Sequence, residues 1–404
     1  MLGMESKAAG RRGNEGALTA TIKMRVSPDP GALDLLRRYR DAVNYAVGVI
    51  LAKDLKTVGE AHRELYEVLK TTFGLPSRIA LDCYRDALAL AKAWRRNPKR
   101  GRRPIRRKLA MWLSHGTAYR IGNGHVEIIG GLRLKVEGWD RRYDQYPSRE
   151  ARLVYRGGAL YLYVAKQVPK QEKYHPRDVI AVDVNEREVV YGNGEEVRRI
   201  ETKIEEAMRL VKHAERIQEK YSAPKAQIWR RRSGVLKRIR ALHRRAKNIL
   251  TDWARKTALK IVREAKSLKA AVAREDLRGL KEGVRKLAKD HRRRLLYMGY
   301  SRLLYWIDWQ AEKHGVPVMA VNPRGTSTTC PRCGARLLEV GRRYMRCPNC
   351  GFEGDRDVIA VINIRLKALK MGGALPAPTA PQMTDETPSR WGEPMNRPKR
   401  ISAI

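Results

Sequence analysis

Four cysteines in two Cys-x-x-Cys pairs constrain the fold of this chain more than any other feature of its sequence. The pairs are Cys330/Cys333 and Cys347/Cys350, thirteen residues apart, and each is followed directly by a glycine. Each pair can form a tight knuckle in which the glycine permits the turn, so that four thiolates complete a tetrahedral zinc site. The spacing therefore predicts a structural zinc ribbon at about residues 326–353.

A disulfide framework is the weaker interpretation of these cysteines. The chain has five cysteines in all, and we expect no secretory signal at its N-terminus. A cytoplasmic, reducing location agrees better with free thiols. The fifth cysteine, Cys83, falls on the apolar face of a predicted helix with no metal-ligand partner nearby in sequence, so we expect it in a core.

Charge restricts the partners of the protein. There are 85 Lys and Arg residues against 43 acidic ones, a net charge of +42, and such an excess repels itself unless it meets a polyanion such as nucleic acid. Residues 92–108 and 225–247 each hold ten Lys or Arg and no acid. Both runs can be read as solvated surface, but their density favours phosphate contacts. Membrane binding is not expected, because the chain has no run of 18 apolar residues and no lipidation motif.

The N-terminal half predicts an antiparallel β-barrel interrupted by helices. Thr19–Val26 alternates polar and apolar residues, and similar short runs separated by glycine-rich turns recur between residues 111 and 168. Apolar residues at helical spacing predict helices between these strands. We expect a disordered basic tail at residues 1–17, a barrel formed by 18–29 and 104–170, and a helical insertion at 30–103.

The C-terminal half predicts the element order of the RNase H-like fold. Three strands are followed by a helix, a strand, a helix, a strand and a final helix. The predicted elements are Val179–Asn185, Glu188–Tyr191, Glu195–Ile200, Glu201–Lys266, Leu268–Leu277, His291–His314, Val316–Val321 and about Asp355–Leu369. Residues 371–404 are rich in Pro, Ala and Thr, and we expect a disordered tail there.

Three carboxylates fall where that fold needs them. Asp183 ends the first strand, Glu275 ends the fourth, and Asp357 lies on the last helix. Each alone would be an ordinary surface residue or a helix cap, but chance is a poor explanation for three at three element ends. Together they can hold two divalent cations about 4 Å apart, one activating a water and the other stabilising the leaving 3′ oxygen. Mg²⁺ suits such hard oxygen ligands, so the pattern predicts a metal-dependent nuclease.

In this order the motifs resemble those of the TnpB family, insertion-sequence proteins long described as OrfB transposases and related to miniature type V CRISPR effectors. The motifs are Asp183-Val-Asn, Glu275-Asp-Leu, Asn322-Pro-x-x-Thr326-Ser, the two cysteine pairs and Asp355-Arg-Asp357. The resemblance covers about residues 18–370. It implies an α/β multidomain protein: a RuvC nuclease domain at 177–370 carrying a zinc-ribbon insertion, a wedge-type barrel at 18–29 and 104–170, and a helical recognition region at 30–103.

The resemblance also implies an activity and partners. Members of the family use a transposon-derived guide RNA to find double-stranded DNA beside a short flanking motif, and their RuvC site cuts both strands. Carried over by motif, the catalytic and magnesium-binding acids are Asp183, Glu275 and Asp357, and the zinc ligands are Cys330, Cys333, Cys347 and Cys350. The implied cofactors are structural zinc, two catalytic Mg²⁺ ions and the guide RNA.

The sequence departs from the family pattern at two places near the acids. The final helix of the family usually reads Asp-Arg-Asp-x-Asn-Ala-Ala, and here Ile359 replaces the Asn and Val361 the second Ala. Arg274 precedes Glu275, where the family generally has an apolar residue. Neither change removes a predicted metal ligand.

The sequence thus predicts a transposon-associated, RNA-guided DNA endonuclease. The alternative is a nuclease-weak, RNA-guided DNA-binding transcriptional regulator derived from such an enzyme. A zinc-ribbon protein that binds RNA without a guide role is a third interpretation, which leaves the acids unexplained. Divalent-metal-dependent cutting of guide-matched DNA separates the first two.

Overall fold

The structure, a computed structural model, has a mixed α/β fold. It describes residues 17–97, 101–138, 141–222, 228–277 and 299–371, together with 288, 292, 294, 295 and 297. The chain divides into two compact units, Met1–Pro169 and Lys170–Ile404. Apart from Ala17 and Met371, the two predicted disordered tails lie outside the described residues. None of the helices in the described part is long and apolar enough to cross a membrane.

In its described residues, the first unit combines a seven-stranded antiparallel sheet with three helices. Alternating residues of the first strand are buried, and the buried residues of the helices and the sheet form one apolar core. Cys83 is fully buried in this core, as predicted. The elements are β1 (Ala17–Val26), α1 (Pro30–Ala52), α2 (Val58–Thr71), α3 (Ser77–Arg96), β2 (Ala110–Leu113), β3 (Tyr119–Gly122), β4 (His125–Ile128), β5 (Leu132–Glu137), β6 (Ser148–Arg156) and β7 (Ala159–Pro169).

The predicted closed barrel is wrong. The sheet has the order β2-β6-β7-β1-β5-β4-β3, and in the described residues no ladder joins its edge strands β2 and β3. Strand β1 pairs with β7 along its whole length, whereas only Arg25 and Val26 pair with β5. Alternating hydrophobicity determines which face of a strand is buried, but closure depends on strand tilt and stagger. The sequence pattern therefore could not distinguish an open sheet from a barrel.

Part of the basic run 92–108 holds the fold together and is not free for phosphate. The Arg106 guanidinium makes an ion pair with buried Asp86 at 2.7 Å, and its backbone N–H donates to Asn44 Oδ1 at 2.7 Å. Arg95 likewise pairs with Asp54 at 2.8 Å. Residues 98–100 of this run lie outside the described residues. The exposed basic residues that remain are Lys92, Arg96, Arg102, Arg103, Arg107 and Lys108.

The described part of the second unit is built on a five-stranded mixed sheet of order β10-β9-β8-β11-β12. Strands β8, β9 and β10 are antiparallel, while β11 and β12 run parallel to β8. The elements follow the predicted order: β8 (Asp178–Val184), β9 (Glu188–Gly192), β10 (Val197–Glu201), α4 (Ile204–Lys220), α5 (Ser233–Ser267), β11 (Ala270–Glu275), α6 (Tyr300–His314), β12 (Val318–Val321), β13 (Leu338–Gly341), β14 (Tyr344–Arg346), β15 (Glu353–Asp355) and α7 (Arg356–Met371). The sequence predicts that helix α6 begins at His291. In the described residues the continuous helix α6 begins at Tyr300.

Helices cover both faces of this sheet, and residue parity decides which face each side chain meets. In β8, Val179 and Ala181 contact the core formed with α7. Ile180 and Val182 contact the core formed with α4, α5 and α6. The same alternation holds in β11. Because side chains alternate along a strand, Asp183 and Glu275 fall on the α7 face and Arg274 falls on the opposite face.

The buried ion pair of the first unit gives a stability prediction. Arg106→Leu should lower the free energy of unfolding by about 3 kcal/mol, because Asp86 is then buried without its counter-charge. Urea denaturation of the full chain measures the change. Replacing Asp86 with Leu as well should restore part of the loss, since no charge then stays buried. The exposed neighbour Arg107 is the control, and Arg107→Leu should stay within about 0.5 kcal/mol of wild type. Equal losses of unfolding free energy in Arg106→Leu and Arg107→Leu would contradict a stabilising role for the pair.

Candidate functional site

The three predicted acids line one cavity of about 560 Å³ in the second unit. Asp183 is the next-to-last residue of β8, Glu275 is the last residue of β11, and Asp357 is the second residue of α7. The last paired positions of β8 and β11 are Val182 and Arg274, so the two strand acids occupy the next positions of neighbouring parallel strands. The structure thus brings Asp183 and Asp357 to one cavity, although they are 174 positions apart in the sequence.

Burial and like charge act together on Asp183. Asp183 is only 7% exposed. This burial, and then the negative charges of the nearby Asp357 and Glu275, raise its pKa to about 7. Burial also raises the pKa of Glu275 and of Asp357. Three carboxylates in one partly buried cavity repel each other, and a cation placed among them would relieve that repulsion.

Hydrogen bonds orient two of the acids. Asn185 Nδ2 donates to Asp183 Oδ2 at 2.6 Å. Thr326 Oγ1 donates to Glu275 Oε1 at 2.6 Å. Each bond engages one oxygen of its carboxylate and so sets the orientation of that acid.

Asp357 differs from the other two acids because arginines contact it. Arg343, in the turn between β13 and β14, donates to Asp357 Oδ1, and Arg199 Nη1 of β10 lies 3.9 Å from Oδ2. Within the described residues, the buried Oδ2 atom accepts no hydrogen bond. Buried polar atoms normally have partners, so this oxygen is a candidate for binding a cation. Sequence reasoning missed Arg343, because nothing in the local pattern separates it from the adjacent Arg342.

Asp355 has a different position from Asp357. Its Oδ1 atom accepts the backbone N–H groups of Asp357 and Val358 at 2.9 and 3.2 Å, as a helix-capping side chain does. It also pairs with Arg199 at 2.9 Å. Among the described residues that line the acid cavity, Asp357 is present and Asp355 is not.

The two departures from the family pattern point away from the acids. Arg274 makes a double ion pair with Asp308 of α6, at 3.0 and 2.8 Å, on the opposite face of the sheet from Glu275. Ile359 is fully buried in the apolar cluster around the cysteines. Neither side chain takes the place of a group among the three acids.

The four cysteines of the second unit form one cluster, and their sulfur atoms lie within 4.8 Å of one another. In the first knuckle, the Cys330 N–H donates to Ala335 O at 2.8 Å and the Gly334 N–H donates to Cys330 O at 3.0 Å. The second knuckle, from Cys347 to Phe352, repeats both bonds at 2.7 and 3.1 Å. Gly334 and Gly351 have φ angles of 77° and 69°, which side chains disfavour, so both turns need glycine.

The thiols have different environments within the cluster. The backbone N–H of Ala335 lowers the pKa of Cys333 to about 6, which favours the thiolate at neutral pH. Burial raises the pKa of the Cys330 thiol, and a bound cation would favour its thiolate. Four convergent sulfurs with this spacing are compatible with a zinc ion, which binds as the thiolate complex.

Asn363 connects the cysteine cluster to the acid cavity. Its Nδ2 atom, on α7, donates to Thr326 O at 2.7 Å and to Thr329 O at 2.8 Å, at the entry to the first knuckle. Because the Thr326 hydroxyl donates to Glu275, the same segment positions an acid and a cysteine. Sequence reasoning missed this residue as well, since an asparagine inside an apolar helix has many possible partners.

Comparison with known proteins agrees with these features. A family model described as Cas12f1-like, TNB domain matches residues 300–364. A TnpB-like protein of Methanocaldococcus jannaschii is 29% identical over 218 residues, which span 51% of this chain and 75% of that protein. The CRISPR-associated endodeoxyribonuclease Cas12f2 of a Micrarchaeota archaeon is 31% identical over 182 residues, 39% of this chain and 33% of that protein.

A solved structure shares the fold. The matching chain comes from a cryo-EM structure of a Cas12f1–sgRNA–target DNA complex, with a TM-score of 0.57 and 12% identity. The match covers 86% of this chain and 99% of that one. The predicted family is confirmed by the relatives and the matching domain, and the chain belongs to the TnpB family, which is related to the miniature type V effectors.

Proposed function

We propose that this protein is a transposon-associated, RNA-guided DNA endonuclease. The observation that carries the proposal is the meeting of Asp183, Glu275 and Asp357, from two parallel strands and one helix, in a single cavity. The relatives support it, since one is TnpB-like and another is named as a CRISPR-associated endodeoxyribonuclease. The second unit would hold a RuvC-type, RNase H-like nuclease domain at residues 177–370, with a zinc-ribbon insertion at about 326–353. In the first unit, the sheet would act as the wedge domain and α1–α3 as the recognition region.

The acids fit magnesium. Asp183, Glu275 and Asp357 offer only carboxylate oxygens, the ligands that Mg²⁺ prefers, and the buried Asp357 Oδ2 accepts no hydrogen bond from the described residues. When bound there, magnesium ions supply Lewis-acid activation of a water and charge stabilisation at the phosphodiester being cut.

The surrounding side chains prepare the acids for this role. Asn185 and Thr326 each hold one oxygen of an acid, which fixes the direction of the other oxygen. Arg343 and Arg199 offset part of the negative charge of Asp357. Every nucleic acid that enters the cavity also carries negative charge, so arginine beside the acids reduces the repulsion between substrate and site.

Binding of the guide and the target would use the basic surface. In the first half of α5, residues 233–247, the exposed basic residues are Lys237, Arg238, Arg240, Arg244, Arg245 and Lys247. Contacts of this kind recognise phosphates and do not select a sequence. Base pairing between guide RNA and target DNA would supply the sequence selection. A nuclease-weak regulator remains the alternative, and no feature of the acid cavity favours it, because all three acids are present.

Zinc binding gives the first test. We expect about one zinc ion per chain in the purified protein, because four sulfurs converge within 4.8 Å. Cys347→Ser should release the metal and lower the melting temperature of the second unit, since structural zinc contributes folding free energy. Atomic absorption and calorimetry measure the two effects. Cys83→Ser is the control with unchanged zinc content, and full retention of zinc in Cys347→Ser would refute the four-ligand site.

Removal of a single acid gives the second test. Asp183→Asn or Asp357→Asn should reduce cutting of a matched target by about 100-fold or more, which exceeds the loss typical for residues that only orient a ligand. The substitution removes one charge and one metal-binding oxygen while keeping the shape of the side chain. Binding of guide RNA and target DNA should persist, because the basic surfaces are unchanged. Gel assays of cleavage and of binding, with added Mg²⁺, separate the two readouts.

Asp355→Asn is the matched control for Asp357→Asn. An asparagine oxygen can still accept the two backbone N–H groups at the start of α7, so we expect a loss of cutting of less than about 10-fold. The reverse order of the two variants would mean that Asp355 is the catalytic residue. Wild-type protein that binds its RNA and target but never cuts with Mg²⁺ would favour the regulator.

Neutralising exposed arginines gives the third test. A triple variant with Arg230→Gln, Arg231→Gln and Arg232→Gln should bind an RNA–DNA hybrid of about 20 base pairs more weakly. The slope of log affinity against log salt concentration should become shallower by about 2 to 3. Fluorescence anisotropy over a series of salt concentrations measures the slope. Arg25→Gln, an exposed arginine that pairs with Glu137, is the control. An unchanged slope in the triple variant would show that these arginines are solvated.

A further inference from the structure

A second cavity of the second unit lies at the turn between α4 and α5, and its lining differs from that of the acid cavity. It has a volume of about 440 Å³, within the size range of small-molecule sites. Its walls include Gln218 near the end of α4, Trp229 and Arg230 in the turn, and Leu236, Arg240 and His243 on α5. All the charged side chains that line it, among the described residues, are arginines.

Local sequence explains how this cavity forms. Leu236, Arg240 and His243 are spaced by four and three residues, so they lie along one side of α5. The turn holds Trp229 through its backbone, because the Trp229 N–H donates to Tyr221 O at 3.0 Å. This bond fixes the backbone at Trp229, from which the indole reaches the cavity.

The cavity also has a fixed inner wall. His243 Nδ1 lies 2.6 Å from the Tyr297 hydroxyl, and the two rings stack with an angle of 23° between their planes. The guanidinium carbon of Arg230, an exposed residue, lies 5.1 Å from the centre of the Trp229 ring. The site thus combines an aromatic face, a small apolar floor and a cationic rim.

This combination matches the chemistry of a nucleotide. A base stacks on an aromatic face, and arginine binds the adjacent phosphate and stacks on rings itself. The sequence run 225–247 contains no Asp or Glu, so this segment has no carboxylate to repel a phosphate. A base inside a duplex has its faces covered, so only an unpaired base fits.

We propose that this cavity binds one unpaired nucleobase of an RNA strand, stacked on Trp229, with Arg230 and Arg240 contacting the neighbouring phosphates. Gln218, at the edge of the cavity, has an amide that can donate to and accept from the base edge. The choice of RNA over DNA rests on the proposed function, in which an RNA with unpaired segments stays bound to the protein. The cavity would act as an anchor for that RNA and is separate from the acids.

Photochemical cross-linking tests the proposal directly. The probe is a single-stranded decauridine RNA with one central 5-iodouridine, irradiated with the full-length protein without added magnesium so that no cutting interferes. We expect an adduct on Trp229, identified by mass spectrometry of peptides. Trp229→Leu should remove that adduct and weaken binding of the decamer by about 5- to 100-fold, the effect of losing one stacked base. Because no charge changes, the salt slope of binding should stay the same.

Two variants control for folding and for nonspecific aromatic contacts. Trp229→Phe keeps a ring in the cavity and should keep the adduct. Trp309→Leu removes another tryptophan that has a cation near its ring, Lys313 at 5.7 Å, and should leave the Trp229 adduct in place. Arg230→Gln with Arg240→Gln should instead lower the salt slope, since phosphate contacts are lost.

Three outcomes would overturn the proposal. Adducts that form elsewhere in the chain and not on Trp229 would show that the cavity takes no base. An equal or larger yield with the DNA version of the probe would reject the assignment to RNA. Retention of full affinity in Trp229→Leu would show that the indole does not stack on a base. The nuclease proposal is judged separately by cutting of a matched target: wild-type protein that cuts but forms no Trp229 adduct refutes only the RNA anchor.

Discussion

The packing of α7 against one face of the five-stranded sheet determines where the acid cavity and the cysteine cluster lie. Val361, Ile364 and Ala368 of this helix share an apolar core with Val179 of β8. Burial of a side chain such as Val361 or Ile364 contributes about 1.5–3 kcal/mol, so a few such contacts fix the helix firmly. Its first turn then brings Asp357 to the ends of β8 and β11, while other residues of the helix hold the cysteine cluster. A change in this packing would disturb the acids and the cysteines together.

That packing acts against the cost of burying the Asp183 carboxylate and, after that, against its repulsion by Asp357 and Glu275. The pKa of Asp183 rises to about 7, which corresponds to a cost of about 4 kcal/mol at neutral pH relative to an unfolded aspartate. Since the folded pKa lies above the unfolded value, this cost is absent at low pH, grows from about pH 4 and levels off above about pH 7. Apolar burial by α7 is of comparable size and offsets this cost. A cation bound among the three acids would relieve the repulsion between them.

Sequence patterns predicted the parts of the structure that depend on local periodicity and spacing. Asp183 and Glu275 follow apolar strand runs, and the four cysteines follow a metal-binding spacing, so these residues could be identified before the fold was known. Arg343 and Asn363 could not, because a turn arginine and a helix asparagine acquire their roles only through contacts between distant segments. The open sheet of the first unit was missed for a related reason: alternation reports the buried face but not strand closure. The density of the basic run 92–108 favours phosphate contacts, yet Arg106 and Arg95 form ion pairs with Asp86 and Asp54.

The departures from the family pattern are explained by the side of the element on which they fall. Positions two apart on a helix point in different directions, so Ile359 can pack in the cysteine cluster while Asp357 faces the acid cavity. Neighbouring residues of a strand face opposite sides of the sheet, so Arg274 can pair with Asp308 while Glu275 turns toward α7. An isoleucine at position 359 therefore adds apolar contact to the cysteine cluster without removing a group from the acids. A substitution beside one of the three acids is thus judged by the face it occupies, and its distance in sequence from the acid carries little weight.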